Sequence, residues 1–366
     1  VYAIRYAGMD EMKQVEQWLA MNKAKNFEEW QAAIALNYIQ SFNFVYANRH
    51  GDIHFIHNAQ LPMRAPNWQW DQYLPGDRSD LIWDAYHPTS SLPQVTNPSS
   101  GFVHSANQTP FNITAASDNP RQRDVPANGG WQTRMTNRAT RGLELFEDFG
   151  EISFDEAWQL KHDNSYSINY RGMAFLQQVT RLPKSSDRIA QAIEILSNWD
   201  RATDKNNRGA ALGVCVLAAE WQAESGGSSN PDPQPILDDC IEQTLDIGGR
   251  LDPRWGDVNR HGRDDTHWPV AGGPDTLRAI YSRRLDGDDH LTAVAGDGLY
   301  YLIRWMPDGD MRALGTHQYG NDMTNPDSPH YLDQAEDFTN EVLHQPLYSD
   351  QDRIGRITRR YNVRSD

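Results

Sequence analysis

The stretch Ser41-Phe42-Asn43-Phe44-Val45-Tyr46-Ala47, then Asn48-Arg49-His50-Gly51, then Asp52-Ile53-His54-Phe55-Ile56-His57 alternates apolar and polar residues on both sides of a turn. A period of two predicts strands, and the Asn-to-Gly segment supplies turn chemistry, so residues 41–57 are expected to form a β-hairpin. Upstream the period changes. Met12, Val15, Trp18 and Leu19 recur at helical spacing over residues 9–36, and Asn26 is suited to cap a second helical segment from Phe27.

Downstream, residues 61–128 are punctuated by prolines from Pro62 to Pro126, with Trp68, Trp70 and Trp83 between them. A loop this long and aromatic is expected to wrap a core or build a site. Residues 130–205 carry helical patterns. Ser153-Phe154-Asp155-Glu156 has capping-box form, and Asp187 opens a further helix. Residues 212–221 are nearly all apolar and predict a buried helix. The stretch from Ser225-Gly226-Gly227 to Pro233 is the best linker candidate. After a short helix at 235–245, strands and turns follow, with Asp286-Gly287-Asp288-Asp289 and Asp308-Gly309-Asp310 as hairpin turns. The organisation expected is 1–130, 131–230 (helical) and 231–366 (strands).

Lys and Arg number 34 against 50 Asp and Glu in 366 residues, a net charge of −16. That argues against nucleic acid or an anionic membrane as a partner, since either would call for a basic face. Aromatic residues are plentiful enough for a core, which excludes disorder of the whole chain. Two cysteines, Cys215 and Cys240, exclude a disulfide-stapled scaffold and a cysteine-rich zinc fold. They are either one bridge or two buried thiols. No apolar run is long enough for a membrane span. The chain begins Val1-Tyr2-Ala3 with no initiator Met and no signal-type segment. The expectation is a processed end, an artificial boundary or a break in a longer protein.

Several catalytic signatures are missing from the sequence: the Gly-x-Ser-x-Gly elbow, His-Glu-x-x-His, the Walker loop and Gly-x-Gly-x-x-Gly. His54 and His57, three apart on a strand, point to opposite faces. They are expected to be surface or turn histidines rather than metal ligands.

Six stretches in order resemble the penicillin acylase family. They are Met21-Asn22-Lys23-Ala24-Lys25-Asn26-Phe27-Glu28-Glu29-Trp30; the hairpin 43–53; Ser100-Gly101-Phe102-Val103-His104-Ser105-Ala106-Asn107-Gln108-Thr109-Pro110; Arg138-Ala139-Thr140-Arg141 with Leu145-Phe146-Glu147; Trp199-Asp200 with Gly209-Ala210; and Tyr319-Gly320-Asn321 with Ser328-Pro329-His330-Tyr331-Leu332-Asp333-Gln334. The last is more similar to the cephalosporin, aculeacin and acyl-homoserine-lactone acylases than to penicillin G acylase. The resemblance implies an α+β fold, the αββα sandwich of N-terminal-nucleophile hydrolases, with a helical insertion and β-rich additions. It implies an exported (periplasmic or secreted) N-acyl amide hydrolase, cut into two chains, whose β chain begins with a Ser nucleophile that uses its own amine as base. Val1 matches the interior of that β chain. The nucleophile, the α chain and the N-terminal part of the β chain are therefore expected upstream, and this chain alone is expected to be inactive. The implied substrate is a small N-acyl amide of β-lactam, lipopeptide or acyl-homoserine-lactone type. Two other readings stay open: a non-catalytic, Trp-rich exported binding protein, and a subunit whose partner supplies the nucleophile.

Asn107 matches the family's side-chain oxyanion donor. An amide N–H stabilises developing negative charge without giving up a proton. Asn107-Gln108-Thr109-Pro110 is also good turn chemistry, and Asn107-Gln108-Thr109 and Asn112-Ile113-Thr114 are glycosylation sequons. Arg138 matches an arginine that orients this Asn; the alternative is a helix-surface arginine beside Arg134 and Arg141. Asp118, in Ala116-Ser117-Asp118, matches a ligand of a structural calcium ion; the alternative is an ordinary loop carboxylate. No other cofactor is implied.

Overall fold

The computed structural model describes residues 1–9, 11–115, 117–149, 151–347 and 349–357. Ala116 and residues 358–366 at the end of the expected strand region lie outside them. The chain folds as two compact units, Val1–Gly150 and Glu151–Asp366. Both mix helices with mainly antiparallel strands, the second unit including one parallel pair, so the α+β expectation is met.

In the first unit α1 (Gln14–Lys23) and α2 (Phe27–Ile34) precede the hairpin β1 (Ser41–Ala47) and β2 (Ile53–Ala59), and β3 (Gln94–Thr96) adds to β2. The hairpin has the expected register, from Ser41 opposite Ala59 to Ala47 opposite Ile53. Asn26 caps α2 by accepting the Glu29 N–H at 2.8 Å, which ends the first helical segment where the sequence predicts it.

The apolar residues that mark the period of α1 face outward, however. Met12 is 88% and Val15 77% exposed, whereas Gln17 is fully buried. The Gln17 side chain accepts from the N–H groups of Tyr38 and Ile39 and donates to the Ile34 carbonyl. One amide thus satisfies three main-chain groups at the end of α2, which makes its burial favourable. The core gathers Met21, Trp30, Ile34, Ile39, Phe44 and Ile56.

The histidine expectation is corrected. His54 is buried against Phe27 and Trp30 and pairs with Thr96 Oγ1 at 2.8 Å. His57 is held by Asn43 Oδ1 at 2.7 Å. Burial pushes the His54 imidazole down to about 4 and lowers His57 as well. The unit ends in α3 (Asn137–Phe149).

In the second unit α4 (Phe154–His162) lies against the later strands, while α5 (Gly172–Thr180), α6 (Asp187–Asn198), α7 (Ala210–Ser225) and α8 (Pro233–Gly248) pack around Phe175, Leu196, Trp199, Leu212 and Leu237. Ser153 and Glu156 form the capping box read from the sequence. The Gly/Ser/Pro stretch after Ser225 is the connection between α7 and α8, which Cys215 and Cys240 join by a disulfide. The two-thiol alternative is thereby set aside. After α9 (Trp255–Val258) come β4 (Asn259–Arg263), β5 (Thr266–Pro269), β6 (Ile280–Arg283) and β7 (Leu291–Gly296), in the sheet order β5-β4-β7-β6. A separate ribbon pairs β8 (Tyr300–Trp305) with β9 (Met311–Thr316) across the Asp308-Gly309-Asp310 turn, and α10 (Ala335–Thr339) and α11 (Asp350–Arg353) follow. The fully buried Arg278 reaches Asp297 and the Phe338 carbonyl, and Lys161 reaches the same Asp297 at 2.6 Å. This paired cluster ties α4 to the strands.

Candidate active site

The loop ahead of α3 is held from inside. Gln108 is buried, accepts the Ala106 N–H at 2.6 Å and donates to the carbonyls of His104 and Asn112. A side chain that closes its own loop in this way acts as a template for the turn. At the crest Asn107 has φ +63°, a left-handed conformation that Asn tolerates better than most residues. Its side chain is exposed.

Helix α3 grips the same loop. Thr136 Oγ1 accepts the Ala139 N–H at 3.1 Å, in the manner of an N-cap, and donates to the Ala106 carbonyl at 3.0 Å. The Thr109 N–H donates to the Arg134 carbonyl at 2.9 Å. Arg138, in the first turn, then donates from Nη2 to Asn107 Oδ1 at 3.0 Å. The structure therefore brings together the two site residues expected from the sequence.

His104 was not singled out as a site residue. Its ring lies edge-on to Phe146, itself stacked on Phe102 at 4.4 Å, and a β-carbon on Gly142 would sit 2.7 Å from His104 Nε2. Burial pushes this imidazole down to about 4. A neutral ring beside Arg138 adds no second cation there. The sequence signal was Gly142, one turn after Arg138, which leaves room for a ring on that helix face.

Asp118 stands apart. Its Oδ2 accepts from Ser99 Oγ at 2.7 Å and from the Ser100 N–H at 3.2 Å, and these bonds hold its carboxyl below the usual range. Among the described residues no three His, Cys, Asp or Glu side chains converge in a way that could hold a metal ion. A hard cation takes several oxygens, carbonyls as well as carboxylates, so a calcium ion at Asp118 would need further ligands beside it. The loop tryptophans each have an arginine over the ring: Arg5 over Trp83 at 4.5 Å, Arg64 over Trp70 at 5.4 Å and Arg78 over Trp68 at 5.5 Å. Trp131 donates to the Pro126 carbonyl at 2.9 Å.

The family model for penicillin amidase matches residues 1–354. The chain belongs to the penicillin amidase family. Penicillin G acylase of Escherichia coli is 27% identical over 196 residues, which cover 52% of this chain and 22% of that protein. Acyl-homoserine lactone acylase PvdQ of Pseudomonas syringae pv. syringae is 21% identical over 404 residues, covering 96% of this chain and 50% of that protein. The chain thus spans half the length of these relatives or less. Among solved structures, a thermostable penicillin G acylase from Alcaligenes faecalis shares the fold with a TM-score of 0.57 at 14% identity, over 97% of this chain and 73% of that one. Penicillin amidase relatives are acylases, and the Asn107–Arg138 pair lies within the matched residues.

Proposed function

We propose that this chain forms part of an acylase that hydrolyses an N-acyl amide, and that Asn107 and Arg138 belong to its active site. The 3.0 Å bond from Arg138 Nη2 to Asn107 Oδ1 carries the reading. A guanidinium only donates, so it must face the amide oxygen, and the Asn107 NH2 group is turned the other way. An exposed, oriented donor is what a tetrahedral oxyanion requires. Arg138 fixes the donor's direction and Thr136 fixes the loop beneath it.

In this reading the nucleophile is a Ser outside these 366 residues, with its own α-amine as base. It attacks the acyl carbon, the amine leaves, and water then hydrolyses the ester. The names of the two relatives support a β-lactam or an acyl-homoserine lactone as substrate; a lipopeptide has the same amide. Exposed Phe42 and Val45 on the edge strand β1 support a covering segment from the rest of the enzyme. The Cys215–Cys240 bridge supports an oxidising, exported location.

The test is Asn107→Ala in the full-length enzyme, with processing checked separately. Turnover should fall roughly 100- to 1000-fold, equivalent to about 2.7–4 kcal/mol of transition-state stabilisation, with KM changed far less. Asn107→Asp should be at least as damaging, because it places a negative charge against another. Near-normal turnover in Asn107→Asp would remove Asn107 from the site and leave it a turn residue.

A further inference from the structure

The tip of the β8–β9 ribbon carries an arrangement that amide hydrolysis does not use. Arg304 and Arg312 face each other directly across the antiparallel pair. Both are exposed, and neither guanidinium has a hydrogen bond or ion pair among the described residues. Like charges directly opposite on a ribbon are destabilising. In a chain with 50 acidic residues against 34 basic ones, two facing arginines without a carboxylate are the reverse of what surface pairing would produce.

The two line a cavity of about 530 Å³ with Phe154, Met306, Leu314 and Gln345. No carboxylate lines it among the described residues. Helix α4 runs along β8 from Phe154, in the cavity wall, to His162, whose Nε2 meets the Tyr300 hydroxyl at 2.6 Å. The positive end of a nine-residue helix is therefore directed to the same place as the arginines. That first turn carries two acids, neither in the cavity lining: Glu156 is engaged by the Ser153 N–H at 2.7 Å, and Asp155, next to Phe154, is exposed to solvent.

We propose that Arg304 and Arg312, facing across the ribbon tip beside Phe154 and Met306, form a binding site for a carboxylate that carries an apolar tail. Guanidinium forks match the two oxygens of a carboxylate. Phe154, Met306 and Leu314 give the tail a surface that water does not compete for, and the volume lies within the range of small-molecule sites. The bound anion removes the Arg304–Arg312 repulsion, so binding and local stability are linked. Carboxylate binding here does not rest on the hydrolysis proposed above.

Decanoate, decanol and inorganic phosphate are titrated calorimetrically into the full-length protein and into its Arg304→Gln/Arg312→Gln variant. The expected result is a decanoate component that weakens at least tenfold in the variant and weakens with added salt, while decanol and phosphate bind weakly to both proteins. The variant's thermal midpoint without ligand should equal or exceed that of the parent, since a repulsion has been removed. An identical decanoate isotherm in both proteins would overturn the proposal. So would phosphate binding as tight as decanoate, or a marked fall in the unliganded midpoint, which would show the arginines to be structural.

Discussion

The hydroxyl of Thr136 bonds the Ala106 carbonyl at 3.0 Å, so the cap of α3 is also the clamp on the residue before Asn107. Helix formation and donor placement depend on one oxygen. Thr136→Val removes that oxygen at constant shape. It should cost about 1–3 kcal/mol, from a lost cap and an unmet buried carbonyl, and should lower turnover as well. Thr136→Ser should retain most of both. Urea unfolding and turnover on the two variants check this; equal behaviour of Val and Ser would show that the clamp is dispensable.

Arg138→Lys keeps the charge and loses the planar fork. A charge-assisted bond is worth about 1.5–3 kcal/mol, so turnover should fall roughly 10- to 150-fold, with KM little changed. The pairing is directional, and simple charge retention should not rescue it. Steady-state kinetics on Arg138→Lys and Arg138→Gln test the point, and full activity in Arg138→Lys would reduce the residue to a local cation.

Gly213 is in α7, where helix propensity favours alanine over glycine by about 1 kcal/mol. Here packing should win. A β-carbon at Gly213 would lie 2.2 Å from the Trp199 ring, and that ring is held by its Nε1–H bond to the Ala202 carbonyl at 2.9 Å. Gly213→Ala should therefore destabilise by about 1–3 kcal/mol through overpacking. Adding Trp199→Phe should recover part of the loss. Thermal midpoints of the single and double variants read it directly.

Acid should unfold the protein early. Burial pushes His54, His104, His162 and His261 down to about 4 in the folded chain, against about 6.5 when unfolded. As pH falls, the unfolded chain takes up these protons first. Stability is thus full above the unfolded value and declines between about 6.5 and 4, by up to about 1.4 kcal/mol per pH unit for each histidine. His54→Phe, which keeps a ring against Phe27 and Trp30, should lessen that slope by about one proton. Denaturant unfolding from pH 7 to 4 measures the slope, and a flat profile down to pH 4 would contradict the burial argument.

Much of the local structure was legible from residues alone. The period of two, the Asn-to-Gly turn, the Asn26 cap and the Ser153–Glu156 capping box act within a few residues of themselves, and all formed where the pattern placed them. The family could be read the same way, from ordered motifs such as Trp199-Asp200 with Gly209-Ala210. That motif is a packing signal: Trp199 fills the space that Gly209 and Gly213 leave open.

By itself, then, the sequence determined the helices, the hairpin, the family and the chemical kinds present at Asn107, Arg138 and Asp118. Only the tertiary structure decided which face of α1 turns inward, because the burial of Gln17 depends on main-chain groups of Ile34, Tyr38 and Ile39 rather than on its own hydropathy. It also buried His54, joined Cys215 to Cys240 and brought Arg304 opposite Arg312. Arg138 reaches Asn107 across 31 residues. The reason is common to all of these: a polar group's place is set by the partner it meets, and chain folding brings that partner from a distance no local period encodes.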